Sequence, residues 1–241
     1  MAAKSTASDS IRNIVGPQAD AAEIERAIAL LFEPGDVMEV RVPKTRAGVV
    51  SGYFDDLPTM AAAICQANAK YMAGGVYYVL NKINPMLLGR AHNRLKEYAE
   101  HTTADSNILQ RRWLPVDLDP VRPAGISSSD GEHVAAVQRA RTIADDMRRE
   151  WGRPIIADSG NGAHLLYRID LSSDQEALAF VTGALAELDR RHSDDVIKVD
   201  VTCANAARIW KAYGTVARKG DSIPGRPHRI SRILEVPRDQ P

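Results

Sequence analysis

The order of strand-like and helix-like segments over residues 113–201 limits the fold most strongly. In "WLPVDLDP", which ends at Pro120, apolar and polar residues alternate as a half-buried strand requires. A helix pattern follows, then strand patterns in "PIIA" and "HLLYRI", a second helix pattern and the strand "VIKVDV". This β-α-β-β-α-β order predicts a split β-α-β, or ferredoxin-like, unit and hence an α+β fold.

The two helices are predicted from capping boxes and apolar stripes. Ser129 with Glu132 begins the first helix, and Ser173 with Glu176 begins the second. Apolar residues then recur at helical spacing. The predicted stripes are Val134, Val137, Ala140, Ala144, Met147 and Trp151 in the first helix, and Phe180, Val181, Ala184, Leu185 and Leu188 in the second.

The first part of the chain predicts an α/β unit. Residues 1–20 are small and polar and are expected to form a disordered tail. Helical periodicity and strand-like alternation then follow one another. The predicted elements are a helix over Ala22–Phe32, the strand "VMEVRV", a helix over Leu57–Ala73, a strand over Val76–Leu80 and a helix over Pro85–Glu100.

Composition limits the classes of function. The chain has 241 residues, 44% of them hydrophobic, which is enough for a substantial core. Its 31 Lys and Arg residues balance 31 Asp and Glu residues, so electrostatic binding must rest on local patches. Seven basic residues and one acid, Asp221, lie between Asn205 and Arg232. This segment predicts an anionic partner, with a solvated basic loop as the alternative.

Cysteine usage and hydropathy indicate a cytoplasmic protein. Cys65 and Cys203 form no Cys-x-x-Cys pair, which argues against a disulfide scaffold or a structural zinc site. The longest apolar run, "MAGGVYYVL", is too short to span a bilayer, and "MAAKSTASDS" lacks the apolar core of a signal peptide. We therefore expect no zinc and no role at a membrane.

Two aspartates on the first strand of the split unit are candidate metal ligands. Asp117 and Asp119 are two residues apart, so their carboxylates project from the same face of the strand. Like charges repel, and a cation such as Mg²⁺ or Mn²⁺ relieves that repulsion; a turn-capping role is the alternative for the pair alone. Asp200, on the polar face of "VIKVDV", supplies a third carboxylate, and three carboxylates can hold two ions for phosphoryl transfer.

The loop "SGNGAH" is a candidate phosphate-binding turn. Gly160 and Gly162 allow positive φ and a close approach of the backbone to phosphate oxygens. His164 would add a directed donor, with a structural hydrogen bond as the alternative. Ser159 and Asn161 either donate to phosphates or close the turn.

Together these motifs resemble those of the archaeo-eukaryotic primase superfamily, in particular the primase-polymerase domains of phages and plasmids. "VDLDP" is similar to the family's acidic pair, "SGNGAH" to its small-residue-x-His motif and "IKVDV" to its third acid. "NAARIWKAYGTVARKG" is similar to the basic segment after that acid. "RPHRIS" also resembles phage members, without assigned roles for Arg226, His228 and Arg229. The resemblance spans roughly residues 75–237.

The resemblance implies a two-unit primase-polymerase fold. An N-terminal α/β unit, about residues 21–110, packs on an RNA-recognition-motif-like unit, about residues 111–237, with the active site in the cleft between them. Two Mg²⁺ or Mn²⁺ ions are implied at Asp117, Asp119 and Asp200. The candidate nucleotide-binding residues are Ser159, Gly162, His164, Arg208, Lys211 and Lys219, and His164 is also counted among the catalytic residues.

The implied activity is template-dependent nucleotidyl transfer by a DNA primase or polymerase that starts and extends primers during phage or plasmid replication. The implied partners are single-stranded DNA template, primer and nucleoside triphosphates, with a replicative helicase on the same or another chain as a further one. Tyr77, Tyr78 and Trp210 are candidates for base stacking, with core packing as the alternative.

Two other classes of function stay open. One is a metal-dependent nuclease or replication-initiator endonuclease, although an initiator of that kind would show paired histidines and a well-placed tyrosine. The other is a non-catalytic RNA-recognition-motif-like binding module, which would need stacking aromatics that a chain with 5% aromatic residues does not supply.

Overall fold

The computed structural model describes residues 16–72 and 75–237. These residues form a mixed α+β fold whose sheets pair their strands antiparallel. Most of the expected tail over residues 1–20 lies outside the described residues, as does Ala73 at the end of a predicted helix. No helix of the described part is both long and apolar enough to cross a membrane.

The first 107 residues contain two helices and five strands in the described ranges, joined by turns and 3₁₀ segments. In chain order these are α1 (Ala21–Leu31), β1 (Met38–Thr45), β2 (Gly48–Phe54), α2 (Leu57–Lys70), β3 (Tyr77–Val79), β4 (Lys82–Ile83), a 3₁₀ helix (Pro85–Arg90), β5 (Arg94–Lys96) and a 3₁₀ helix (Asp105–Asn107).

The rest of the chain carries the predicted β-α-β-β-α-β order and then adds short strands. Its elements are β6 (Ile108–Pro120), α3 (Asp130–Asp146), α4 (Arg148–Trp151), β7 (Ile155–Asp158), β8 (Ala163–Ser172), α5 (Gln175–His192), β9 (Ile197–Val199), a 3₁₀ helix (Val201–Ala204), β10 (Ile209–Lys211), β11 (Val216–Ala217), β12 (Arg229–Ile230) and β13 (Arg232–Glu235).

Two larger sheets organise the described residues. The first has the strand order β10-β3-β1-β2-β5, and the second has the order β13-β7-β8-β6-β4, with β9 also pairing with β6. Strand β10 comes late in the chain yet completes the first sheet, and β4 comes early yet completes the second. One continuous core of buried apolar residues, which includes Val40 of β1 and Leu114 of β6, lies between the elements of both sheets.

The alternation in β6 positions the candidate acids. Leu114, Val116 and Leu118 are buried, whereas Asp117 and Asp119 are half-buried on the other face. Strand β6 pairs with β8 so that Asp117 lies opposite His164. The acidic strand and the strand that follows the glycine loop are therefore direct neighbours.

The two helix predictions hold in position but differ in detail. Ser129 caps α3 with the capping box expected from Glu132, whereas the cap of α5 is Asp174 rather than Ser173. Strand β8 continues to Ser172, so the carboxylate of Asp174 is the first side chain that can accept from the helix, at the backbone N–H of Ala177. Two predicted stripe residues point outward, since Val134 is 50% exposed and Phe180 is 51% exposed.

The predicted helix over Pro85–Glu100 is wrong. The chain instead makes the 3₁₀ helix Pro85–Arg90 and then β5. Leu87 is the buried residue of the 3₁₀ helix, so an apolar stripe that could hold a longer helix is missing. Asn93 then turns the chain with φ of 49°, a left-handed conformation that ends helical geometry.

Candidate active site

A cleft of about 280 Å³ lies between residues of the two sheets. Pro43 and Lys44 of β1 and Tyr77 of β3 line it from the first sheet. Asp117 and Asp119 of β6 and His164 of β8 line it from the second. Basic side chains complete the wall of this cleft, from Lys211 of β10 and from Arg218 and Lys219 after β11.

Beside the cleft, two of the three predicted metal ligands lie together with a cysteine. A carboxylate oxygen of Asp117, a carboxylate oxygen of Asp200 and Sγ of Cys203 all lie within 4.8 Å of one another. The backbone N–H of Asp200 also donates to the carbonyl oxygen of Asp117, at 2.9 Å. The two carboxylates suit a hard divalent cation, and the sulfur adds a softer ligand. Cys203 was not recognised from the sequence, because it has no neighbouring Cys or His at ligand spacing.

Asp200 reaches this position from a turn and not from the polar face of a strand. Strand β9 ends at Val199, and Asp200 caps the 3₁₀ helix that begins at Val201. Val201, the last residue of that strand pattern, is consequently exposed. Burial opposes the charge of Asp200, yet hydrogen bonds from the side chain and backbone of Thr202 outweigh it, helped by Cys203 and Arg208, and lower the pKa of this carboxyl. Asp200 is therefore ionised and ready to bind a cation.

Asp119 stands apart from that group of three. Its Oδ1 lies 3.3 Å from Arg122, and its Oδ2 lies 3.9 Å from Nζ of Lys219. Burial and repulsion from Asp117 raise the pKa of Asp119, and the two basic side chains only partly offset this. A bound cation would relieve the same repulsion between the two aspartates.

A chain of hydrogen bonds orients His164 behind the acids. Nε1 of Trp210 donates to the hydroxyl of Tyr213 at 3.0 Å, and that hydroxyl lies 2.9 Å from Nδ1 of His164. Burial raises the pKa of Tyr213 far above its ordinary value, so the hydroxyl stays protonated. Its O–H therefore donates a hydrogen bond to Nδ1 of His164. This assigns the ring proton of His164 to Nε2, which lies 3.5 Å from Oδ1 of Asp117.

The glycines of the loop serve two different purposes. Gly160 has φ of 89°, which fits the predicted turn. Gly162 does not have positive φ; it makes room for the neighbouring strand, because a Cβ there would lie 2.1 Å from the carbonyl oxygen of Leu118. The positive φ predicted for Gly162 is therefore wrong, and its approach to a phosphate stays a prediction.

Ser159 and Asn161 both help to close the loop and keep donors for a ligand. Oγ of Ser159 accepts from the backbone N–H of Gly162 at 2.9 Å, which leaves its hydroxyl proton free to donate. Oδ1 of Asn161 accepts from the backbone N–H of Ser128, also at 2.9 Å, so the amide N–H groups are the part left for a ligand. Both residues line the cleft.

The predicted basic residues differ in whether they line the cleft. Lys211 and Lys219 line the cleft, whereas Arg208 lies outside its lining and pairs with Asp200 at 3.2 Å. Arg226 pairs with Glu132, and Arg229 pairs with Asp130, both near the start of α3. This part of the basic segment therefore fastens the chain to α3.

The aromatic residues that were candidates for base stacking lie in different environments. Tyr78 and Trp210 are buried in the core, which favours the packing role for both. Tyr77 is half-buried and lines the cleft. Lys44, which the sequence did not single out, lies on the same wall because β1 runs beside β3.

Comparisons with known proteins give one structural likeness. No protein-family model matches this chain, and no curated protein matches its sequence. The structure is similar to the crystal structure of primase RepB', with a TM-score of 0.44 and 14% sequence identity. The similarity covers 89% of this chain and 56% of that chain, so this chain spans about half the length of that protein. The functional conclusion therefore rests on the site residues themselves.

Proposed function

We propose that this protein is a template-dependent nucleotidyltransferase, a DNA primase-polymerase that makes and extends primers during phage or plasmid replication. One observation carries the proposal: a group of acids able to hold a divalent cation adjoins a cleft that is also lined by basic side chains. Phosphoryl transfer from a nucleoside triphosphate needs both features, because the reacting hydroxyl and the polyphosphate must be held within one site.

The donor set fits Mg²⁺ or Mn²⁺. Carboxylate oxygens from Asp117 and Asp200 would provide the first ligands, and Asp119 on the same strand face would provide another. Two divalent ions, when bound there, would supply activation of the primer hydroxyl and neutralisation of the leaving phosphate.

The protein's own side chains would hold the nucleotide. The Nε2–H of His164, together with Lys211 and Lys219, would bind the polyphosphate by charge-assisted hydrogen bonds. The amide of Asn161 and the hydroxyl of Ser159 would donate to the same group. Arg208, which pairs with Asp200, would act at the metal side of the site and would reach the nucleotide only by leaving that pair.

The fold that we propose for this function has an RNA-recognition-motif-like unit built from β6, α3, β7, β8, α5 and β9. The antiparallel strand order β7-β8-β6-β9 supports it.

The first sheet would form the other side of the cleft, from which Lys44 would contact a backbone phosphate of a single-stranded DNA template. Primer and template would be held mainly through their phosphates and by stacking on Tyr77.

Incubation of the protein with a primed template, labelled nucleotides and Mg²⁺ or Mn²⁺ tests this function. Extension of the primer supports it. Cleavage of the template would point to a nuclease, and retardation without chemistry would point to a binding module. Asp200→Asn should abolish extension, whereas Asp195→Asn, an exposed aspartate five residues away, should retain it. Equal extension by both variants would remove Asp200 from the site.

A further inference from the structure

Lys211 is a buried amine with little to neutralise it. The residue is 7% exposed, and its Nζ donates to the carbonyl oxygen of Val216 at 3.0 Å. An ammonium group has three N–H donors and one full charge. Among the described residues, no carboxylate lies within ion-pair distance of this amine. Its location is the wall of the cleft, where an anion could reach it.

The charged and titratable groups near Lys211 are mixed in sign. Strand β3 contributes the ring of Tyr77, with its centroid 5.7 Å from Nζ. Arg218 is the neighbour whose charge repels the amine. The other ionisable groups of the cleft are Lys44 of β1, Asp117 and Asp119 of β6, His164 of β8 and Lys219.

A charged amine is unfavourable in such a place until an anion arrives. Removal of an ammonium group from water disfavours its charged form, and a neighbouring cation adds to the effect. Burial, with repulsion from Arg218, lowers the pKa of Lys211 to about 7. A polyphosphate in the cleft would bring several negative charges and would favour the charged form again.

We propose that Lys211 is a proton-linked polyphosphate receptor: about half of its amine is neutral in the free protein at pH 7 and most of it at higher pH, and the amine takes up a proton from solvent when a polyphosphate binds. The identity of that polyphosphate as a nucleoside triphosphate rests on the proposed function. A lysine suits this role where an arginine does not, because a guanidinium keeps its proton at all pH values that a protein tolerates.

Calorimetry with inorganic tripolyphosphate, in two buffers of different ionisation enthalpy and without metal ions, measures the protons taken up on binding. The wild-type protein should take up about half a proton at pH 7, because a group with a pKa of about 7 is half protonated there. Uptake should grow toward one proton at pH 8 and shrink toward zero at pH 6.

The matched variant is Lys211→Arg, which keeps the positive charge and cannot be deprotonated. It should bind tripolyphosphate with the Lys211 share of the proton uptake lost, and it also corrects for protons exchanged by tripolyphosphate itself. The same uptake in the wild type and in Lys211→Arg would overturn the proposal. Absence of tripolyphosphate binding by the wild type would overturn it as well.

A second measurement needs no variant. Pyridoxal 5′-phosphate carries an aldehyde that condenses with a neutral amine and releases water, and borohydride then reduces the imine to a stable secondary amine. Mapped by mass spectrometry, labelling of Lys211 should reach half its maximum near pH 7, and tripolyphosphate should protect it. The exposed Lys198, labelled in the same samples, serves as the reference amine. A Lys211 profile like that of Lys198 would contradict the proposal.

The two proposals can fail separately. Primer extension together with nucleotide binding that exchanges no protons at Lys211 would overturn the receptor and leave the proposed function standing. Proton-linked tripolyphosphate binding without extension, under any of the divalent ions tried, would overturn the nucleotidyltransferase and leave the receptor.

Discussion

The hydroxyl of Tyr213 lies 2.9 Å from Nδ1 of His164 and fixes which nitrogen of the ring carries the proton. Because Trp210 fills an acceptor position of that hydroxyl, the tyrosine donates toward the histidine. The N–H of His164 consequently faces Asp117 and the cleft, where a donor is useful to an anionic substrate.

Tyr213→Phe should therefore change the tautomer of His164 without removing the imidazole. Loss of one neutral hydrogen bond corresponds to about 1 kcal/mol, or roughly a fivefold fall in incorporation rate. Nitrogen-15 NMR of the ring should show protonation shared between Nδ1 and Nε2. Tyr78→Phe is the matched control, because that buried hydroxyl has no hydrogen-bond partner among the described residues. An unchanged Nε2–H tautomer in Tyr213→Phe would contradict the assignment.

The acids and Cys203 should contribute differently to ion binding. Asp117→Asn and Asp200→Asn should each abolish Mn²⁺ binding measured by calorimetry, because each removes a hard ligand from the group of three. Cys203→Ser should weaken binding of Zn²⁺, used as a soft probe ion, more than binding of Mg²⁺. Equal losses for the two ions in Cys203→Ser would place the sulfur outside the binding site.

Gly162→Ala should destabilise the protein. The new Cβ would lie 2.1 Å from the carbonyl oxygen of Leu118, so β6 and β8 would have to move apart at the acidic strand. We expect a loss of about 1–3 kcal/mol in the free energy of unfolding, measured by urea denaturation. Gly131→Ala, on α3 with nothing near the new Cβ, should instead be neutral or gain up to about 1 kcal/mol. Equal stability of the two variants would show that β6 and β8 accommodate the new Cβ without a loss in the free energy of unfolding.

Lys211 should make stability depend on pH in a direction that can be worked out. Its pKa of about 7 in the folded protein lies below its ordinary value of 10.5, so between these values the unfolded chain binds more protons and unfolding becomes harder as pH rises. Each unit of pKa difference corresponds to about 1.36 kcal/mol. Lys211→Met should therefore stabilise most at or below pH 7, and the gain should disappear toward pH 10. Urea denaturation across this range would contradict the prediction if the gain were independent of pH.

Strand alternation and chain order were sufficient to predict four strands of the second sheet, β6 to β9, and the acidic pair on β6. Period-two patterning placed Asp117 and Asp119 on one face, and the helix pattern placed α3 and α5 between the strands. These features depend on contacts that are local in the sequence, so a pattern of neighbouring residues can carry them.

The features that the sequence did not predict depend on tertiary contacts. Cys203 approaches Asp117 because a 3₁₀ turn folds back after β9, and Lys44 enters the cleft because β1 lies beside β3. Residue 162 must be a glycine because the neighbouring strand β6 leaves no room for a Cβ, and no local sequence pattern reveals this contact. The helix predicted over Pro85–Glu100 failed because apolar residues were present without a continuous face to bury.

Strand β10 has a consequence for how the chain reaches its native state. Its pairing with β3 joins residues 209–211 to residues 77–79, so the edge of the first sheet stays open until residue 211 has been synthesised. Ribosome-bound nascent chains shorter than this would expose an unpaired edge beside Tyr78, a situation that favours chaperone binding and aggregation. Since Lys211 belongs to the same strand, the cleft acquires its buried amine only after β10 has paired with β3, and chains that end before residue 211 would lack this anion-binding group.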